Sequence, residues 1–136
     1  MKVWSGFGSE HSMNLVMIGH FKEARDAEKA KELIELLTEQ VNSEPEAYQR
    51  EASPHALRFS KAMLDLLSAS HLFSIGPGDL EQLLYSARIS VDGSSVVITT
   101  DEIDVSVFLK VLLDKGARVE VYSAHDYPGT EHGRGR

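Results

Sequence analysis

The clearest hydrophobic pattern in the chain lies between residues 26 and 42. Ala27, Ala30, Ile34, Leu37 and Val41 recur at spacings of three and four, and Leu33 and Leu36 widen the stripe. One apolar face about four turns long predicts an amphipathic helix. Asp26 suits its N-cap. Glu28 in the first turn complements the positive end of the helix dipole. Lys29 stands where a capping box needs Glu or Gln, so that motif is absent. Lys31, Glu32, Glu35 and Glu39 fill a solvated face, and Asn42-Ser43-Glu44-Pro45 ends the helix. Just before it, Asn14 to Phe21 is a short apolar run with two β-branched residues. That pattern fits a strand buried on both faces. Gly19 inside it marks a bulge or a close backbone approach.

Residues 43–52 form a polar linker. A second helix is expected from Ser53-Pro54, Ser as N-cap and Pro as first helical residue, with Phe59, Ala62, Met63, Leu66 and Leu67 as its stripe, ending near Ser68 to His71. Gly76-Pro77-Gly78 separates it from a shorter helix over about Gly78 to Ala87, with Leu80, Leu83, Leu84 and Ala87 facing inward. Arg88 to Val91 and Ser95 to Thr100 are β-rich, and Asp92-Gly93 between them signals a hairpin. A nearly buried helix covers about Asp104 to Lys115, built on Val105, Phe108, Leu109 and Leu112 with Val107 and Val111 as a second row. Gly116 supplies its C′ position. Arg118 to Ser123 then alternates, with Val119 and Val121 one way and Arg118, Glu120 and Tyr122 the other, as in a half-buried strand. A single α+β domain over residues 1–125 and a flexible tail over 126–136 are expected.

Setting aside the segment 43–87 leaves the order β-α-β-β-α-β, which resembles the layout of a ferredoxin-like sandwich. The fold expected is therefore α+β, ferredoxin-like, with 43–87 as an inserted helical segment. Lys2 to Trp4 would add a fifth strand in an alternative mixed sheet. Both long helices would cover one sheet face. The other face would stay open unless covered, and large apolar patches seldom stay bare, so a homodimer through that face is expected. That layout hosts many functions and transfers none.

Composition narrows the function classes. The chain has 136 residues, no Cys, and a formal net charge of −7. Disulfides, thiol nucleophiles and Cys-based metal sites are excluded. No apolar run approaches the length of a membrane span, and the N-terminus lacks the apolar stretch of a signal peptide, so a cytoplasmic protein is expected. Net acidity disfavours nucleic acid, and Ser95 to Thr100 has none of the stacking aromatics of an RNA-recognition sheet. It suits a basic protein partner.

The segment Gly6-Phe7-Gly8-Ser9-Glu10-His11-Ser12-Met13-Asn14 gathers hydroxyls, a carboxylate, an imidazole and an amide just before a strand. Loops held by rigid strands often carry function, although Gly- and Ser-rich loops also form plain turns. Neither a dinucleotide fingerprint nor a Walker loop is present. If the first strand alternates, Val16, Ile18 and His20 share a face. His20 there is a satisfied core residue, the commoner role, or else a ligand contact or part of a dimer face. His11 and His20 are nine residues apart, roughly 30 Å if extended, so a shared site needs a fold-back. The six His show no ligand spacing, so no metal is expected, and no cofactor. The reading is a small binding or interaction domain without catalysis, with Ser9, Ser12, Asn14 and His20 as binding candidates for a small polar ligand. The alternative is a small enzyme in the Gly6–Asn14 loop, with Glu10 as base and His11 as acid.

Overall fold

In a computed structural model, residues 14–48 and 59–123 of the chain are described. The fold is α+β. Strand β1 (Leu15–His20) leads into helix α1 (Ala24–Ser43). A single 3-10 turn (Pro45–Ala47), helix α2 (Lys61–Ala69) and short helix α3 (Pro77–Glu81) follow. Strands β2 (Ala87–Asp92) and β3 (Ser95–Thr100), helix α4 (Ser106–Asp114) and strand β4 (Arg118–Ser123) complete the described residues. The strands form one antiparallel sheet in the order β2-β3-β1-β4.

Most elements stand where their periodicity puts them. The α1 stripe of Ala27, Ala30, Ile34, Leu37 and Val41 is buried throughout. Leu33 is half-buried, but Leu36 points to solvent, because it lies too far round the helix from the sheet. The helix begins at Ala24 rather than after Asp26. Glu23 is its N-cap, without a side-chain capping bond, and Asp26 sits in the first turn. There it still faces the positive end of the dipole.

The largest departures fall between α1 and β2. The expected start at Ser53-Pro54 lies outside the described residues. The described helix starts at Lys61, because Ser60 is the N-cap and its Oγ accepts the Met63 N–H at 3.1 Å. The same hydroxyl donates to Glu44 at 2.6 Å, tying the end of α1 to the start of α2. Beside it Tyr48, unremarked in the polar linker, is fully buried. Burial raises its phenol above the ordinary value. The helix expected over Gly78 to Ala87 is shorter. It is α3 plus one 3-10 turn (Gln82–Leu84), and Ala87 already belongs to β2. The Lys2–Trp4 strand and the 126–136 tail both lie outside the described residues.

The sheet has two unlike faces. Met17, Val96, Ile98, Val107, Phe108, Val111 and Leu112 join the α1 stripe in one core cluster, with Ile89, Val91 and Val119 at its margin. Val16 and Ile18 are buried at 9 % each but lie outside that cluster, because alternation turns them to the opposite face. The strand is thus buried on both sides, as its apolar run implies.

Gly19 shows why α4 lies so close to β1. A Cβ at this position would meet the Leu112 methyls at 3.0 and 3.1 Å and the Ala117 Cβ at 3.4 Å. The β1 register is continuous with both neighbours, so the glycine serves a close approach and not a bulge. Gly116 (φ 96°) and Gly93 (φ 63°) occupy the left-handed conformation at the end of α4 and in the β2–β3 turn, where side-chain-bearing residues are strained.

A half-buried polar hub holds α3 against the start of α4. The Asp79 carboxylate accepts from the Gly76 N–H at 2.7 Å, Lys110 Nζ at 2.8 Å and Ser106 Oγ at 2.6 Å. Gln82 donates to Ser106 at 2.9 Å and accepts the Val107 N–H at 2.8 Å, capping a helix whose own N-cap residue, Val105, has no side-chain bond to give. Burial pushes the Asp79 carboxyl up, and Lys110, Ser106 and Gly76 together outweigh it, leaving the group below its ordinary value of 3.8.

Two predictions follow from these contacts. Gly19→Val should destabilise the fold by about 2–3 kcal/mol, since overpacking a close contact costs that much, read as a lower urea midpoint at unchanged m. A carboxyl held low in the folded state stabilises above its unfolded value and loses that contribution as pH falls through the folded one. Wild type should therefore weaken as pH drops below about 4. Asp79→Asn should cost about 1–2 kcal/mol at neutral pH, since Lys110 is 38 % exposed and water takes up part of the lost pairing, and should flatten the acid limb of the stability profile.

Candidate functional site

His20 is the last residue of β1, and the register sets it between two neighbours. Ser95, first residue of β3, stands opposite on one side, and Arg118, first residue of β4, on the other. Glu120 is two residues on from Arg118, on the same face by alternation and diagonal to His20. The imidazole bridges the strands, with Nδ1 3.0 Å from Ser95 Oγ and Nε2 3.2 Å from Glu120 Oε2. When neutral with the proton on Nε2, His20 donates to Glu120 and accepts from the Ser95 hydroxyl. When protonated, both nitrogens donate and the Ser95 oxygen accepts. The row can therefore pass or hold a proton and present a hydroxyl, an imidazole and a carboxylate in one line. Arg118 adds a fixed positive charge to the wall of a shallow cavity of about 430 Å³ shared with His20 and Glu120.

The carboxylate of this row is more open than that of Asp79, whose side chain is 12 % exposed. The His20 and Glu120 side chains are 38 % and 37 % exposed, and ion pairs in that setting contribute only about 0–1 kcal/mol. His20 is therefore not the satisfied core residue that a His on an apolar strand suggests. The strand ends at the sheet margin before the ring can be enclosed.

The other sequence candidates fall elsewhere. Ser9, Glu10, His11 and Ser12 lie outside the described residues. Asn14 is described, with a left-handed backbone (φ 48°) just ahead of β1. It lines a separate cavity of about 360 Å³ with Arg88, Thr99 and Asp101. It stands at the opposite end of β1 from His20, roughly 20 Å along a six-residue strand, so the two candidates do not converge. The partners of His20 are 75 and 100 residues away in sequence. Alternation did place Arg118 and Glu120 on one side of their strand, and the hairpin signal fixed Ser95 at the start of another. Only the β3-β1-β4 pairing brings them together. Among the described residues no group of three or more potential ligands is arranged to hold a metal ion, and no helix is long and apolar enough to cross a membrane.

His20→Ala should shift stability by no more than about 1 kcal/mol, the range for half-exposed ion pairs. Urea unfolding of the variant against wild type measures this, and a loss of about 3 kcal/mol or more would make the row a structural staple.

No curated protein and no solved structure matches the chain. The model of a family of unknown function, DUF6375, matches residues 1–134. The chain belongs to that family.

Proposed function

We propose that this member of DUF6375 is a small binding domain of the cytoplasm that works as a homodimer through the sheet face opposite its helices. The layout supports a ferredoxin-like reading, with the order β2-β3-β1-β4, α1 and α4 on one face, and α2 and α3 as the inserted segment. The observation that carries the dimer is the self-complementarity of the other face.

By register and alternation, that face presents three rows across β2, β3, β1 and β4. They read Arg88-Thr99-Val16-Tyr122, Ser90-Val97-Ile18-Glu120 and Asp92-Ser95-His20-Arg118. Val16 and Ile18 at its centre are already buried, with Val97 half-buried beside them, and charges of both signs frame them. Aligned packing of two such sheets keeps their strands within about 30° of one another. A two-fold axis parallel to the strands then lays β2 of one protomer over β4 of its partner and β3 over β1. Asp92 falls opposite Arg118 in both halves. Arg88 falls over the Tyr122 ring, Ser90 over Glu120 and Val97 over Ile18. Ser95 of one protomer meets His20 of the other, so the row at the end of β1 sits at the rim of the interface. There it can hold a small polar ligand between the copies. An isologous contact needs such pairing of each patch with itself.

The test is a charge swap at two exposed positions. Sedimentation equilibrium should give wild type a mass of twice 15.1 kDa. Arg118→Asp should shift it toward the monomer, because like charges then face each other. Asp92→Arg combined with Arg118→Asp should restore the dimer. A monomeric wild type, or a double variant no better than the single one, would sink the proposal.

A second reading, an enzyme using Glu10 and His11, places its pair outside the described residues. The feature in its favour is the left-handed backbone of Asn14, at the end of the same loop, a conformation that recurs at functional turns.

A further inference from the structure

Strand β2 is an edge strand, paired among the described residues with β3 alone. In an antiparallel edge, every second residue turns its N–H and C=O outward, a template for another strand. A groove of about 390 Å³ runs along this edge on the helix-covered side. Its floor is apolar, formed by Leu83 and Phe108 with Ile89 of β2 beside them. Its far wall is the outer flank of α1, where Glu35, Thr38 and Glu39 follow one another along the helix. Both carboxylates are exposed. Glu35 already holds Lys31 at 2.8 Å, on the same helix, which shows how an ammonium seats against this wall.

From these features we infer that the β2 edge and its groove bind an extended basic segment of another protein by strand addition. Main-chain hydrogen bonds to β2 would supply affinity, and the groove would select every second side chain. A long basic side chain fits both surfaces of the groove. Its aliphatic stem lies on Leu83, Phe108 and Ile89, and its charged head reaches Glu35 or Glu39. An acidic segment would bring like charge to the same wall, and the chain's net charge of −7 extends that preference to encounter at a distance. The site lies on the helix side of the sheet, away from the face assigned to the homodimer, so neither proposal rests on the other.

The probe is a short blocked peptide alternating Lys and Thr, with a Glu and Thr peptide of equal length as comparison. Both are titrated into the full-length protein and followed by amide resonances and hydrogen exchange. The Lys peptide should shift resonances of β2 and of α1 around residues 35–39, and should slow exchange of alternate β2 amides. Glu35→Lys together with Glu39→Lys, both at exposed positions, should weaken it by about tenfold or more, with a matching fall in salt dependence. Four results would each overturn the inference. They are no shift at millimolar peptide, equal binding of the Glu peptide, shifts confined to His20, Glu120 and Arg118, or β2 amides whose protection rises with protein concentration alone. The last would identify the occupant of the edge as a second copy of the chain.

Discussion

The contact of α4 with β1 at Gly19 sets the depth of the whole structure. With no Cβ in the way, Leu112 and Ala117 settle against the strand backbone, and α4 can be buried along both of its apolar rows. The chain leaves α4 at Gly116, and the N–H of Ala117 returns to the Leu112 carbonyl at 3.0 Å. Arg118 thereby enters the sheet directly opposite His20. One small residue in the middle of a strand thus governs where β4 begins, and with it which side chains reach the end of β1. The same contact concentrates the helices on one face of the sheet.

Two polar clusters show how burial divides structural roles from available ones. Asp79, 12 % exposed, sits in the joint between α3 and α4, and its partners cap or anchor helix ends. Unmaking such a joint strips hydrogen bonds from both helix starts, so its chemistry is committed to folding. The row of Ser95, His20 and Glu120 has longer hydrogen bonds, 3.0 and 3.2 Å, and its imidazole and carboxylate side chains are more than a third exposed. Water competes for each of its groups, and little stability depends on it. Groups that are positioned yet thermodynamically idle are the ones a ligand or a partner can use.

The molecule then offers two distinct surfaces. The sheet face opposite the helices is mixed in polarity, and the proposed dimer would pair it with itself. The β2 edge is lopsided, apolar at its floor and acidic at its wall, and calls for a partner unlike itself. Their separation by the thickness of the sheet would let a dimer carry two peptide sites facing away from each other.

Sequence alone determined the parts of this fold that depend on local periodicity. The buried stripe of α1, the span of β3 and the Gly93 turn were legible, and Gly19 was legible as a bulge or a close approach, because each follows from spacing or from the special backbone of one residue type. The inward turn expected of Val121 in β4 does not hold, for it is 44 % exposed while Glu120 is half-buried. The region between α1 and β2 was not. Tyr48 is fully buried, and α3 stops after five residues, with Leu84 in the 3-10 turn that follows and Ala87 exposed at the start of β2. No local pattern records either fact. The candidate site divided in the same way. His20 stood out as a polar residue on an apolar strand, but its partners lie on strands that only sheet order makes adjacent. Tertiary structure decided that constellation, since pairing β1 with both β3 and β4 is a choice made by the global packing of α1 and α4 and not by any residue near His20.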